Sequence, residues 1–318
     1  MRLGRTMPGP VGELLVIILG LEVDRTTTTL GTYMEIEVFY NPLMNCESGG
    51  FSPSGGKPRQ VTDDWQRHGL ACAYIYDFAA AQDSDLEFAH SKRYVQDIFS
   101  GELENGHGNT LPAVAAACRW TVGSMIAASR RALEVGVACS PSSGFHHAGW
   151  KENHGFCTFN GLMVAAQKLL DDGSVERVGI LDFDFHYGDG TDDIISVLDL
   201  AEHVVNVTRK GRELLEHREI ERLIDEMECD IVLYQAGADQ HKDDPLGGLF
   251  TTEELVERDR LVFEHCSRTE IPIVWCLAGG YQKVPNGSIA PVLEIHRNTM
   301  IECVRAFACA ALNDASEC

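Results

Sequence analysis

The run Asp182-Phe183-Asp184-Phe185-His186, entering Tyr187-Gly188-Asp189-Gly190, constrains this chain more than any other segment. Val178 to Phe185 reads as a buried parallel strand that empties into a Gly-rich loop. Side chains two apart on a strand point the same way. Asp182, Asp184 and His186 are therefore expected to face one point at the strand's carboxyl end, where open α/β sheets place their ligands. Two carboxylates and one imidazole leave a position open for water, as catalytic zinc sites do. Three aspartates so close to an apolar strand would be costly without a cation. A second anchor lies upstream, the paired His146-His147 in Ser143-Gly144-Phe145-His146-His147-Ala148, and a third downstream, Asp239 at the end of Gln235-Ala236-Gly237-Ala238-Asp239. The pattern points to metal-assisted hydrolysis.

At 318 residues the chain has length for one large α/β domain or two smaller ones. With 26 Lys and Arg against 48 Asp and Glu, its formal charge is −22, which argues against nucleic acid as the ligand and suits cationic substrates. The 11 cysteines are scattered, odd in number and never form C-x-x-C, as expected of reduced thiols in a cytoplasmic protein. Cys157 lies near the chemistry but reads as packing. The apolar run Leu14 to Leu21 is too short to span a membrane and no small-x-small cleavage site follows it. Residues 1–33 read as an N-terminal extension, and 34–318 as one catalytic domain with no linker.

Along that domain strands and helices alternate. Strands are expected near 35–40, 178–185, 204–207, 230–234 and 271–277, and helices near 62–68, 91–99, 112–135, 160–170, 213–227, 252–266 and 289–312. Residues 41–60 read as a Gly/Ser/Pro-rich loop too polar for the core. The alternation predicts an α/β fold, a mostly parallel central sheet with helices on both faces.

Five motifs in order bring a family into view: Gly144-Phe145-His146-His147-Ala148, Gly155-Phe156-Cys157-x-x-Asn160, Asp182-x-Asp184-x-His186-x-Gly188-Asp189-Gly190, Gly237-Ala238-Asp239 and Gly279-Gly280-Tyr281. From about residue 35 to 310 the chain resembles the histone deacetylase superfamily, including acetylpolyamine amidohydrolases, on the arginase-deacetylase fold. The resemblance implies one Zn(II) held by Asp184, His186 and Asp239, a donor set that also accepts Fe(II), Co(II) or Mn(II). It makes His146 and His147 the base and acid, oriented by Asp182 and Asp189, and Tyr281 the donor to the developing oxyanion. Gly155 and Phe156 would line an acyl-lysine channel, with Gly279 and Gly280 at the substrate. A structural potassium ion would use Asp182, Asp184 and backbone carbonyls. The implied partner is an acylated amine, a lysine side chain or a small molecule; a homo-oligomer is compatible with all of this.

There are departures. Val204 to Lys210 passes almost directly into a helix where family members carry a longer loop that supplies pocket wall, so a more open mouth is expected. Tyr187 stands where many members have a second histidine. Asn105 to Asn109 occupies the region of a rim aspartate that Glu104 does not replace. His154, His107 and His241 read as rim or structural residues, His241 also as a support for Asp239; His68, His90, His203, His217, His265 and His296 read as surface or helix packing. A binuclear arginase site would need a carboxylate two residues past Asp239, where this chain has His241. A silent acyl-lysine-binding module would be expected to have lost Tyr281 or a histidine, and all are present.

Overall fold

The computed structural model describes residues 35–216 and 218–314, with side chains for all of these except 212 and 308–314. The readings placed on residues 1–33 and on His217 fall outside that range. Seven strands form one sheet: β1 (Ile36–Phe39), β2 (Cys72–Ile75), β3 (Val137–Cys139), β4 (Val178–Asp182), β5 (Val204–Thr208), β6 (Ile231–Gln235) and β7 (Ile273–Cys276). Their order is β2-β1-β3-β7-β6-β4-β5, and every pairing is parallel. All carboxyl ends therefore share one edge of the sheet.

The central strands are apolar up to their last residues, Asp182 in β4 and Gln235 in β6, because both faces are covered. Along β6, Ile231 and Leu233 enter one hydrophobic cluster while Val232 and Tyr234 enter the other. The first of these clusters packs α2 (Asp83–Leu86), α3 (Lys92–Ser100), α4 (Pro112–Val135), α5 (Gly161–Asp171) and α6 (Asp189–Val197). The second packs α1 (Lys57–Arg67), α7 (Glu219–Met227), α8 (Thr252–Arg268) and α9 (Ala290–Asp314). α8 begins with the expected cap: Glu254 N donates to Thr251 Oγ1 at 3.2 Å, and Thr251 N to Glu254 Oε2 at 2.8 Å.

Several boundaries differ from the sequence reading. β4 stops at Asp182, because Asp184 and His186 bend away into the loop. α1 starts at Lys57, not Thr62: Pro58 sits in its first turn, where its fixed φ and missing N–H cost nothing. Lys57, Ser48 and Ser52 are buried, so the 41–60 segment is not simply an exposed loop. The helix expected over 213–227 is divided into a 3₁₀ turn, Arg212–Leu215, and α7, with Arg218 between them at φ 60°. No helix among the described residues is long and apolar enough to cross a membrane.

Candidate active site

Four adjacent central strands, β3, β7, β6 and β4, deliver the residues of interest from their carboxyl ends. The loop after β3 carries His146 and His147, that after β4 carries Asp184 and His186, that after β6 Asp239, and that after β7 Tyr281.

Asp184, His186 and Asp239 converge: one ligand atom from each lies within 4.8 Å of the others. His186 Nδ1 faces Asp184 Oδ1 at 3.0 Å and Asp239 Oδ2 at 3.1 Å. Backbone amides hold the carboxylates in place. Gly279 N donates to Asp184 Oδ2 at 2.7 Å, His186 N to Asp184 Oδ1 at 3.0 Å and Phe185 N to Asp239 Oδ1 at 3.0 Å. Glycine is required at 279, since a Cβ there would sit 2.3 Å from Asp239 Oδ2 and 2.6 Å from Asp184 Oδ2. Two buried carboxylates side by side repel; burial and Asp184 push the Asp239 carboxyl up. Both carboxylates drive the His186 imidazolium up to about 10. Such a cluster of two anions and one aimed imidazole fits a divalent cation of the zinc type.

Asp182 does not join this cluster. Its Oδ2 accepts from His146 Nδ1 at 2.7 Å, and its Oδ1 accepts from Gln235 Nε2 at 2.9 Å. His146 Nε2 lies 3.7 Å from Asp184 Oδ1. Burial pulls the His146 imidazolium down, but Asp182, Asp184 and Asp239 outweigh it and set its pKa at about 9. A divalent ion on Asp184 and Asp239 would cancel much of that pull. His147 stacks beside His146, ring centroids 4.1 Å apart, and its Nδ1 meets Asp189 Oδ1 at 2.6 Å. Burial and the charge of His146 lower the His147 pKa, against the opposing pull of Asp189.

Tyr281 is buried and lines the same cleft as His146, Asp184, Gly155, Phe156 and Gly279. Burial first, then Asp184 and Asp239, push its phenol well above the usual range, so it keeps its proton. It follows Ala278 at φ 52° and Gly280 at φ 141°, a strained turn held from below by Lys57 Nζ, which donates to Ala278 O at 2.8 Å. Lys57 is fully buried; burial brings its ammonium down to about 8 against the opposing Asp239, Asp184 and Asp244.

Gly155 and Phe156 form a left-handed turn, φ 55° and 66°, against the His147 ring. A Cβ on Gly155 would lie 2.3 Å from His147 Cδ2. The Phe156 ring packs 5.5 Å from that of Tyr281 and 5.6 Å from that of His107. The short segment after β5 adds no ring to Phe156 among the described contacts. Its Lys210 Nζ instead lies 4.2 Å from the centroid of Phe185. Phe51, 48% exposed, stacks with its ring centroid 6.3 Å from that of Tyr281.

Some histidines differ from expectation. His241 bonds Thr252 Oγ1 at 3.2 Å and accepts from Asp243 N, bracing its own loop instead of Asp239. His90 is fully buried and links Gly149 O to Asn160 N, fastening the His146-His147 loop to the start of α5. His154 reaches Asp189 Oδ2 at 2.7 Å. Burial raises the Cys157 thiol, as packing predicts. Near Asp182 and Asp184, Gln240 Nε2 bonds Asp184 O at 3.3 Å and Arg209 O at 3.2 Å, and Gln235 bonds Asp182 Oδ1.

Comparison with known proteins gives a consistent picture. The chain matches the family described as "Histone deacetylase domain" over residues 56–207 and 207–296. It is 33% identical over 227 residues to an uncharacterized protein of Picosynechococcus sp., covering 62% of this chain and 75% of that one. Histone deacetylase 2 of Arabidopsis thaliana is 28% identical over 202 residues, 55% of this chain, and the match spans about half of the plant protein, 52%. Acetylpolyamine amidohydrolase of Mycoplana ramosa is 50% identical over 56 residues, 18% of this chain and 16% of that protein. The crystal structure of acetylpolyamine aminohydrolase from Burkholderia pseudomallei superposes with a TM-score of 0.66 at 16% identity, covering 86% of this chain and 99% of that one. That likeness is one of fold.

Proposed function

The chain belongs to the histone deacetylase superfamily, and on that premise we propose that it is a zinc-dependent amide hydrolase that removes acetyl or another short acyl group from a lysine side chain or similar primary amine. The supporting observation is the pairing of two Asp–His dyads, Asp182–His146 and Asp189–His147, beside the Asp184–His186–Asp239 cluster.

Amide hydrolysis needs activated water, stabilisation of the charge growing on the carbonyl oxygen, and a proton for a poor leaving group. A divalent ion on Asp184, His186 and Asp239 would supply Lewis acidity to the carbonyl and make water a better acid. His147 has a lowered proton affinity and rests neutral at pH 7, so it accepts the proton of the attacking water. The same imidazole then returns that proton to the departing amine, while Asp189 stabilises its charged interval. His146 stays tied to buried Asp182, which fixes its ring with Nε2 3.7 Å from Asp184 Oδ1, beside the residues that would hold the ion. Tyr281, its phenol protonated, donates to the carbonyl oxygen as negative charge develops there. The products are a carboxylate and a free amine. Gly155 and Phe156 would wall the acyl group, and the Gly279-Gly280 turn lets backbone approach the cleft closely.

A second reading is an acetylpolyamine hydrolase, or another small-molecule amide or ester hydrolase of the same superfamily. It is favoured by the charge of −22 and by the local likeness to the Mycoplana ramosa enzyme. A cytoplasmic location belongs to the same proposal and rests on the scattered cysteines.

The test is a hydrolysis assay of zinc-reconstituted protein on acetyl-lysine, trifluoroacetyl-lysine and longer acyl-lysine peptides and on acetylated polyamines, with Asp184→Ala as control. Metal-dependent turnover supports the hydrolase reading, and the ranking separates the two substrate classes. No turnover on any amide by protein with a full metal site would sink it.

A further inference from the structure

Each imidazole beside the ligand cluster leans on one carboxylate oxygen, and each carboxylate has a second oxygen to satisfy. In the inner dyad that second oxygen is Asp182 Oδ1, clamped by Gln235 Nε2 at 2.9 Å and by Asp184 N at 3.1 Å. Asp182 is completely buried, so it cannot turn toward water. In the outer dyad the second oxygen is Asp189 Oδ2, and the Asp189 side chain is 47% exposed. Its partner is His154 Nε2, at 2.7 Å.

We propose that His154 is a positioning residue for the reaction, fixing the Asp189 carboxylate and through it the tautomer and ring orientation of His147. Its effect on turnover rests on the hydrolase reading above; its effect on the Asp189–His147 hydrogen bond does not.

An exposed His–Asp pair is ordinarily worth little. This one differs in sharing its carboxylate with His147, whose ring centroid lies 4.1 Å from that of His146 and 5.9 Å from that of His186. His154 also belongs to the turn pressed against that imidazole. Cys157 N donates to His154 O at 2.9 Å, closing a turn in which Gly155 and Phe156 both take positive φ. The turn leaves no room for a Cβ at Gly155 because the His147 ring fills that space. The rings of His147 and His154 lie 4.5 Å apart at 34°. One short segment therefore holds His147 from two sides, by contact through Gly155 and by hydrogen bonding through His154 and Asp189. With His154 gone, a half-exposed carboxylate is free to rotate about its Cβ–Cγ bond and bond water instead. His147 Nδ1–H would then lose the acceptor that keeps Nε2 unprotonated and the ring fixed in place.

The experiment uses zinc-loaded protein and two variants, His154→Ala and His154→Gln, the second keeping a neutral N–H donor of similar reach. Proton NMR follows the hydrogen-bonded Nδ1–H of His147, assigned by its loss in His147→Ala, and kcat and KM are measured on the best substrate of the panel. The expected result is an upfield-shifted or exchange-broadened resonance and a kcat lower by about 10-fold in the alanine variant, with KM little changed. The glutamine variant should restore both. An alanine variant with the wild-type resonance or the wild-type kcat overturns the proposal, as does a glutamine variant that restores neither. A wild-type protein lacking the resonance overturns it too, since the His147 proton would then be exchanging freely. If no substrate turns over, the hydrolase reading fails and the resonance alone decides the role of His154.

Discussion

Gln235 Nε2 donates to Asp182 Oδ1 at 2.9 Å, on the edge of the carboxylate opposite His146. The same side chain accepts from Phe145 N through Oε1, also at 2.9 Å, so one buried amide joins the β6 end to the loop bearing the histidine pair. Gln235→Ala strands Phe145 N in a buried site and leaves Asp182 Oδ1 with Asp184 N as its remaining donor. Each buried unsatisfied group costs about 1–3 kcal/mol. The variant should unfold at clearly lower denaturant concentration than wild type and lose turnover with it; equal midpoints would show that Gln235 is a bystander.

Tyr281→Phe removes one hydroxyl and leaves the ring packed on Phe156 and Phe51. The backbone anchor, Tyr281 N to Asp244 Oδ2 at 2.7 Å, is untouched. Metal content and melting temperature should therefore stay at wild-type values. Losing a donor to a developing oxyanion typically costs about 10²–10³ in kcat. An unchanged rate would remove Tyr281 from the mechanism.

Stability should fall with rising pH in the metal-free protein. His146 is held up to about 9 in the fold because Asp182, Asp184 and Asp239 overrule its burial. Its ordinary value is about 6.5. The folded state thus binds the proton more tightly, and this stabilisation is complete below about pH 6.5 and lost as pH passes through about 9. His186, driven up to about 10 by Asp184 and Asp239, has the same sign. Lys57 has the opposite sign, but its folded pKa of about 8 means that it gives no slope below that pH. Melting curves between about pH 6.5 and 8 in EDTA should show a falling midpoint. Zinc, by neutralising Asp184 and Asp239, should flatten it. A midpoint that rises across that window would contradict the electrostatics of the cluster.

Much of the site was legible because its residues sit in short motifs at strand ends. Asp184-x-His186 and Gly279-Gly280-Tyr281 each read as a strand emptying into a Gly-bearing loop, His146-His147 as a Gly-bearing loop alone, and a parallel sheet brings such loops to one edge. β3 was missed because it has only three residues and follows α4 with Gly136 alone between them, too short for any period to show. The start of α1 was missed because a lysine reads as solvated, whereas Lys57 is spent inside the fold on Ala278 O. Alternation aimed Asp182 at the same point as Asp184 and His186, but it holds only while the strand lasts and β4 ends at that residue; Asp182 turns instead to His146, the partner that the resemblance implied. His90, His154, Gln235 and Gln240 carry no signal of their own. Their importance lies in which buried acceptor each meets, and that depends on residues up to 90 positions away.

Gln240 leads to a prediction about salt. Two carbonyl oxygens, Asp184 O at 3.3 Å and Arg209 O at 3.2 Å, face the same end of its amide, which requires the NH₂ group there and not the oxygen. The nitrogen occupies the space between them and links the loop after β4 to the chain leaving β5. A monovalent cation serving the same two carbonyls would have to displace it. The wild-type protein should therefore melt at the same temperature in potassium and choline chloride of equal ionic strength. Gln240→Ala frees both carbonyls and opens a pocket lined by acceptors, so that variant should melt lower in choline and regain stability in potassium. A wild-type midpoint that follows potassium would mean that an ion, with the Gln240 oxygen turned toward it, holds these carbonyls instead.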